Sequence, residues 1–276
     1  MVKYDWQNEV ALITGATSGL GKALALRAAE LHSTVLLIAR NQERLNKVAE
    51  EIRTNGGTPY IFQFDLTKAE KIADLYKKVI EKIPNPPTIL INNAGYNAAG
   101  FIQNTPIKVY EDNYKVNTLA AIAFTQSVLP DMIREKKGAI VNIMSAAMYH
   151  SFPGMSSYYS SKFALRAIHE SLKAEVSGYP IKTVYVDPGG FLSNYWKNME
   201  KGNRLKNFKY PEHKTGRDPT EIAVKICNAI EHGREDINLG GFKDRVGYHL
   251  NYWASKIVDR LIVNGSKELL ANRPNA

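Results

Sequence analysis

Short apolar runs of β-forming residues alternate with helix-type stretches along nearly the whole chain, and this alternation limits the fold more than any other feature. The runs are Val10 to Thr14, Thr34 to Ala39, Tyr60 to Phe64, Ile89 to Asn92, Ala139 to Met144, Lys182 to Asp187 and Ile237 to Leu239. Most are continuously apolar rather than alternating, which is the mark of strands covered on both faces. Helical spacing occupies Leu20 to Leu31, Gln42 to Asn55 and Lys68 to Lys82, and Asn55-Gly56-Gly57 supplies a stop signal. A further start is written in Asp218-Pro219-Thr220-Glu221, ahead of the ladder Ile222, Ile226, Ile230. The pattern predicts an α/β chain: a doubly wound parallel sheet of about seven strands with helices on both faces.

Composition narrows the class further. At 276 residues with 44% hydrophobic and 23% charged content, the chain has the balance of an ordinary globular protein. No repeat or low-complexity linker divides it, so one domain over residues 1–276 is expected. The single cysteine, Cys227, excludes a disulfide framework within the chain, fits a reducing compartment and, among Ile226, Ala229 and Ile230, reads as a buried structural thiol. No apolar run reaches the roughly 18 residues of a membrane span, and the polar opening has no signal-peptide core, so a cytoplasmic location is expected. The histidines show no metal-ligand spacing, so no metal is expected; His150 is read as pocket wall or surface.

Directly after the first run comes Thr14-Gly15-Ala16-Thr17-Ser18-Gly19-Leu20-Gly21, followed by the helical Lys22-Ala23-Leu24. Glycines between a strand and a helix allow a tight turn and close approach to a pyrophosphate, whose charge then sits at the amides and positive end of the helix. The second run ends in Ala39-Arg40-Asn41, with no carboxylate to accept from a ribose 2′-hydroxyl. Arg40 instead offers a charged fork suited to a 2′-phosphate, which favours NADP(H) over NAD.

After the fifth run stands Ser145, and Tyr158 follows thirteen residues later in Ser157-Tyr158-Tyr159-Ser160-Ser161-Lys162. Tyr158 and Lys162 are four apart, so they share a helix face. A phenol of pKa about 10 is a poor base at neutral pH, and a nearby ammonium favours its ionised form. The pair suits proton transfer to and from a carbonyl or alcohol oxygen, with a serine hydroxyl to hydrogen-bond that oxygen.

With Asn92-Asn93-Ala94-Gly95, Asn117 and Pro188-Gly189 in the same order and spacing, the chain resembles the short-chain dehydrogenase/reductase family in its single-domain, Rossmann-type branch, from about Glu9 to about Leu239. The resemblance implies that Tyr158 is the catalytic acid in reduction and base in oxidation. Lys162 would lower its pKa and bind the nicotinamide ribose, Ser145 would polarise the carbonyl, and Asn117 would hold a water linking Lys162 to solvent. Gly15, Thr17, Ser18, Gly19, Leu20 and Gly21 would cradle the phosphates of NADP(H). Arg40 and Asn41 would meet the adenosine ribose, Asp65 and Leu66 the adenine, Asn93, Ala94 and Gly95 the flank of the cofactor, and Pro188 and Gly189 the nicotinamide. Ser193 stands where the family has a threonine for the carboxamide. Ser18 replaces the basic residue that some members carry in the glycine loop, so the NADP preference rests on Arg40. Tyr159 falls outside the family spacing and is read as packing or pocket lining.

The formal charge of +9 is uneven. Tyr195 to Arg217 carries seven basic residues against two acidic ones, within an irregular stretch of about 190–217 that the resemblance implies is a substrate lid. Its aromatics could line an apolar pocket and its charge could attract an anionic substrate group. No nucleic-acid recognition motif accompanies the charge, so no nucleic-acid partner is expected. Past residue 243, Leu250, Trp253, Ala254, Ile257, Val258 and Leu261 form an apolar helical stripe. Three places are open to this tail: the substrate entrance, a subunit interface or a membrane surface, the last weakened by Asp259 on its polar face. The reading is an NADP-dependent enzyme acting on a small carbonyl or alcohol substrate, with the homodimer or homotetramer that the resemblance implies. The alternative is a non-catalytic NADP-sensing or scaffolding protein on the same fold, against which the intact Ser145, Tyr158 and Lys162 set argues.

Overall fold

The computed structural model describes residues 4–145, 151–191, 217–240 and 255–271. Seven strands, β1 (Val10–Thr14), β2 (Thr34–Ala39), β3 (Thr58–Gln63), β4 (Ile89–Asn92), β5 (Gly138–Ile143), β6 (Ile181–Asp187) and β7 (Asp236–Asn238), form one parallel sheet in the order β3-β2-β1-β4-β5-β6-β7. The strand order reverses direction between β1 and β4, and ligands of such sheets bind in the crevice at the carboxyl ends of those strands.

Both faces are covered, as the unbroken apolar runs require. Ala11 and Ile13 of β1, Ile89 and Ile91 of β4 and Ala139 and Val141 of β5 pack beneath α1 (Gly19–Glu30), α2 (Gln42–Thr54) and α7 (Pro219–Glu231). Leu12, Leu90 and Ile140 face α3 (Ile72–Ile80), α5 (Ala120–Arg134) and α6 (Ser156–Glu175). Cys227 is fully buried, where the apolar surroundings push its thiol up to about 12. The chain from Tyr4 is held by Trp6 Nε1 donating to Cys227 O at 3.2 Å and by the Tyr4 hydroxyl donating to Gly138 O.

Three local differences from the sequence reading have physical reasons. The β3 ladder begins earlier, at Thr58, because β3 is an edge strand with a single neighbour and tolerates Pro59. The helix expected over Lys68 to Lys82 is a 3₁₀ turn, Ala69–Lys71, followed by α3. Asp65 accepts from Thr67 N at 3.0 Å and its carbonyl accepts from Lys68 N, so the chain enters through a tight turn that favours three-residue spacing. Between α4 (Ile107–Tyr114) and α5, residues Lys115–Leu119 form a π-helical turn that periodicity does not reveal.

Near the carboxyl end, α8 (Ser255–Gly265) and α9 (Lys267–Ala271) follow. The expected lid, apart from Gly190, Phe191 and Arg217, lies outside the described residues, as do Ser193, His150 and Leu250 to Ala254. No helix among the described residues is long and apolar enough to cross a membrane.

Candidate active site

The crevice at the switch point is built by side chains that tie β1 to β4. Thr14 Oγ1 accepts from Asn93 N at 3.0 Å and Ala94 N at 3.1 Å, and Asn93 Nδ2 donates to Thr14 O at 2.9 Å. Gly15 has φ of +68°, a conformation that favours glycine, and its amide donates to Ile38 O at 2.9 Å. Gly21, in the first turn of α1, has no room for a side chain: a Cβ there would meet Asn93 Nδ2 and Gly15 O at 2.3 Å each. The helix can start this close to the strand only because that residue is glycine. The N-cap residue Ser18 is exposed and makes no side-chain cap, so the amides of the first turn are left for a ligand.

Along the β2 edge of the crevice, Arg40 is exposed and its carbonyl accepts from Gln63 Nε2 at 3.0 Å. Asn41 caps α2 by accepting from Arg44 N at 2.8 Å. Burial raises the Asp65 carboxyl, but the Thr67 amide and hydroxyl and the charges of Arg40 and Lys68 outweigh it and hold the group below its ordinary range. Leu66 is buried behind it.

Opposite stands α6. Tyr158 and Lys162 are both buried on its sheet-facing side, and Lys162 Nζ donates to Ile143 O, the last residue of β5, at 2.9 Å. Burial pulls the Lys162 ammonium down from 10.5 to about 8. Half-buried Ser145 lies two residues past that same strand end. The strand therefore carries both the serine and the carbonyl that anchors the lysine, while the helix carries the phenol.

Asn117 sits in the π-helical turn, and its side chain is fully engaged. Its Nδ2 donates to Tyr96 O at 2.9 Å and Ser161 Oγ at 2.9 Å, and its Oδ1 accepts from Tyr96 N at 2.7 Å. It thus joins the loop after Gly95 to α6 one residue from Lys162. Thr118 Oγ1 adds a bond to Ser161 O at 2.8 Å, and Asn113 Nδ2 one to Ser157 Oγ at 3.3 Å.

Pro188 is buried at the end of β6, and the Gly189 amide donates to Asp187 Oδ1 at 3.0 Å. Arg217, counted in the sequence among the charges of the lid, donates to Leu239 O and, at 3.4 Å, to Pro188 O, and it forms a β-bridge with Phe191. Its guanidinium is a clamp at the base of the segment.

All sequence-predicted site residues except Ser193 are described, and they fall at the carboxyl ends of β1 to β6 or in the helices that follow. The clamping of Tyr96 by Asn117 and the aromatic flank of Tyr158 formed by Tyr159 and Phe152 were not legible in the motifs. A buried chain, Asn92 Nδ2 to Asn142 Oδ1 at 2.9 Å and Asn142 Nδ2 to His169 Nδ1 at 3.1 Å, was also missed. Its one sequence signal is that His169 follows Lys162 by seven residues and so shares its helix face.

The family model for short chain dehydrogenases matches residues 9–204. The chain belongs to the short-chain dehydrogenase/reductase family. This family of oxidoreductases includes a Xenopus laevis protein, dehydrogenase/reductase SDR family member 7B, which is 31% identical over 252 residues, 88% of this chain and 77% of that one. Among solved structures, a short-chain dehydrogenase/reductase from Burkholderia phymatum in complex with NAD has a TM-score of 0.82 at 21% identity, covering 92% of this chain and 96% of its own. An alcohol dehydrogenase from Thermococcus sibiricus complexed with 5-hydroxy-NADP has a TM-score of 0.73 at 24% identity, covering 84% and 96%. At those identities the two structures share the fold of this family member.

Proposed function

We propose that this family member is a single-domain NADP-dependent oxidoreductase that reduces a ketone, aldehyde or 3-oxoacyl-type carbonyl, or oxidises the matching alcohol. The observation that carries the reading is the placement of Tyr158 and Lys162, both buried on one face of α6 beside the crevice where β1 and β4 diverge. A bound nicotinamide cofactor supplies or accepts the hydride. The chain's own residues hold it and manage the proton. The α1 first-turn amides and the close approach at Gly21 suit a pyrophosphate, and Arg40, with no carboxylate at the end of β2, suits a 2′-phosphate. Asp65 and Leu66 flank the adenine, Asn93 to Gly95 the middle of the cofactor, and Pro188 and Gly189 the nicotinamide in this reading.

Ser145 hydrogen-bonds the carbonyl oxygen and Tyr158 donates its phenolic proton to that oxygen as negative charge develops there. At pH 7 Lys162 is still protonated, and its charge stabilises the phenolate that remains. The Asn117 side chain is occupied by Tyr96 and Ser161, so a water relaying a proton from Lys162 at this residue would bind elsewhere than on its amide.

The test is consumption of NADPH and NADH across neutral ketones, steroids, sugars and acyl thioesters. Turnover of a carbonyl with NADPH favoured over NADH is the expected result. No turnover of any of them, or a preference for NADH, would overturn the reading or its cofactor assignment respectively.

A further inference from the structure

Tyr159 follows Tyr158 directly, and helix geometry places it on a defined flank. At about 100° per residue, Ser157 and Ser161 lie to one side of Tyr158, and both bond to Asn113, Asn117 or Thr118 of the α4–α5 layer. Tyr159 lies to the opposite side. Farther along the same flank, Lys173 pairs with Glu235 at 3.0 Å, next to β7. Tyr159 therefore faces the sheet edge where β6 ends at Pro188-Gly189, alongside the phenol of Tyr158.

Its ring stands edge-on to Tyr158, with centroids 6.0 Å apart, and edge-on to Phe152 at 6.1 Å. Phe152 is exposed and belongs to the irregular stretch Ser151 to Met155 just before α6. Gly154 O in that stretch accepts from Gly100 N at 2.8 Å, which brings the exposed Ile102 segment to the same mouth. Neither Asn97 to Asn104 nor Ser151 to Met155 contains a charged residue. The Tyr159 hydroxyl has no hydrogen-bond partner among the described residues, and burial raises its pKa, so it remains a neutral donor.

We propose that Tyr159, backed by Phe152, is the specificity-determining wall of the carbonyl site. The wall selects neutral ketones whose carbonyl adjoins an aromatic or alicyclic ring, and the Tyr159 hydroxyl donates to an acceptor on that ring. An edge-on aromatic wall favours a flat apolar ring, and the described stretches beside it, Asn97 to Asn104 and Ser151 to Met155, bring no ion that such a ring would have to desolvate. The proposal rests on the carbonyl-reductase reading, and it names the substrate class for that site.

The experiment compares 4-methoxyacetophenone, acetophenone and butan-2-one as substrates of the wild type, Tyr159→Ala, Tyr159→Phe and Phe152→Ala. In Tyr159→Ala the ratio of kcat/KM for acetophenone over butan-2-one falls about three- to tenfold, chiefly through KM, as loss of one aromatic contact predicts. Phe152→Ala lowers the ratio in the same direction. Tyr159→Phe restores it but loses the preference for the methoxy compound over acetophenone. An unchanged ratio in Tyr159→Ala, or equal losses on all three ketones, overturns the proposal. Calorimetric binding of 4-methoxyacetophenone to the NADPH-loaded protein separates this failure from that of the reaction itself. Binding that weakens in Tyr159→Ala without any reduction keeps the wall and sinks the reductase reading; reduction that is indifferent to Tyr159→Ala does the reverse.

Discussion

Replacing Lys162 by methionine isolates the energetic consequence of holding an ammonium inside the protein. Burial lowers the Lys162 pKa from 10.5 to about 8, so between those values the unfolded chain binds more protons than the folded one. Stability contributed at this site is then fully present above pH 10.5 and is lost as pH falls toward 8. That interval corresponds to about 3 kcal/mol at about 1.36 kcal/mol per pH unit. Methionine has similar length and no charge, and the bond it removes, Nζ to Ile143 O, adds an offset in the comparison. Urea denaturation of wild type and Lys162→Met at about pH 7.5, 9 and 10.5 gives the difference directly, with other titrating groups cancelling. The wild type should gain about 3 kcal/mol on the variant across that range. A difference that stays flat with pH, or that shrinks, would refute the claim that burial governs this lysine.

Three further substitutions probe the crevice. Arg40→Ser should weaken NADPH binding by about tenfold or more, as loss of charge-assisted hydrogen bonds predicts, with little change for NADH; fluorescence titration reads both. Gly21→Ala drives a methyl group against Asn93 and the Gly15 carbonyl, so thermal denaturation should show about 1 to 3 kcal/mol of destabilisation along with weakened cofactor binding. Asn117→Ala removes both bonds to the half-buried Tyr96 main chain and the one to the buried Ser161, and should cost about 2 kcal/mol of stability in urea.

The sheet was legible because its strands are apolar on both faces and short; β1, β2 and β4 begin and end where the residue pattern places them. The site was legible where chemistry fixes spacing: a glycine too close to Asn93 for any Cβ, and a tyrosine and lysine one helical turn apart. What lay hidden depends on contacts between distant segments. Nothing near Asn117 in the chain announces that Tyr96 will accept and donate to it, because the bond exists only once β4 and α5 are packed together. The sequence counts Arg217 only among the basic residues of the expected lid; its clamp role stays hidden because its partners, Pro188 and Leu239, lie 29 and 22 residues away. Tyr159 was read only as packing or lining; the helix flank it occupies shows which edge of the sheet it faces.

The most direct measurement is carbonyl reduction by Tyr158→Phe beside NADPH binding by the same variant. The phenol is the proposed proton donor, while the phosphate cradle, Arg40 and Lys162 are untouched by the substitution. The account predicts NADPH affinity close to that of the wild type and loss of nearly all turnover. Near-normal turnover by the Tyr158→Phe variant would contradict it.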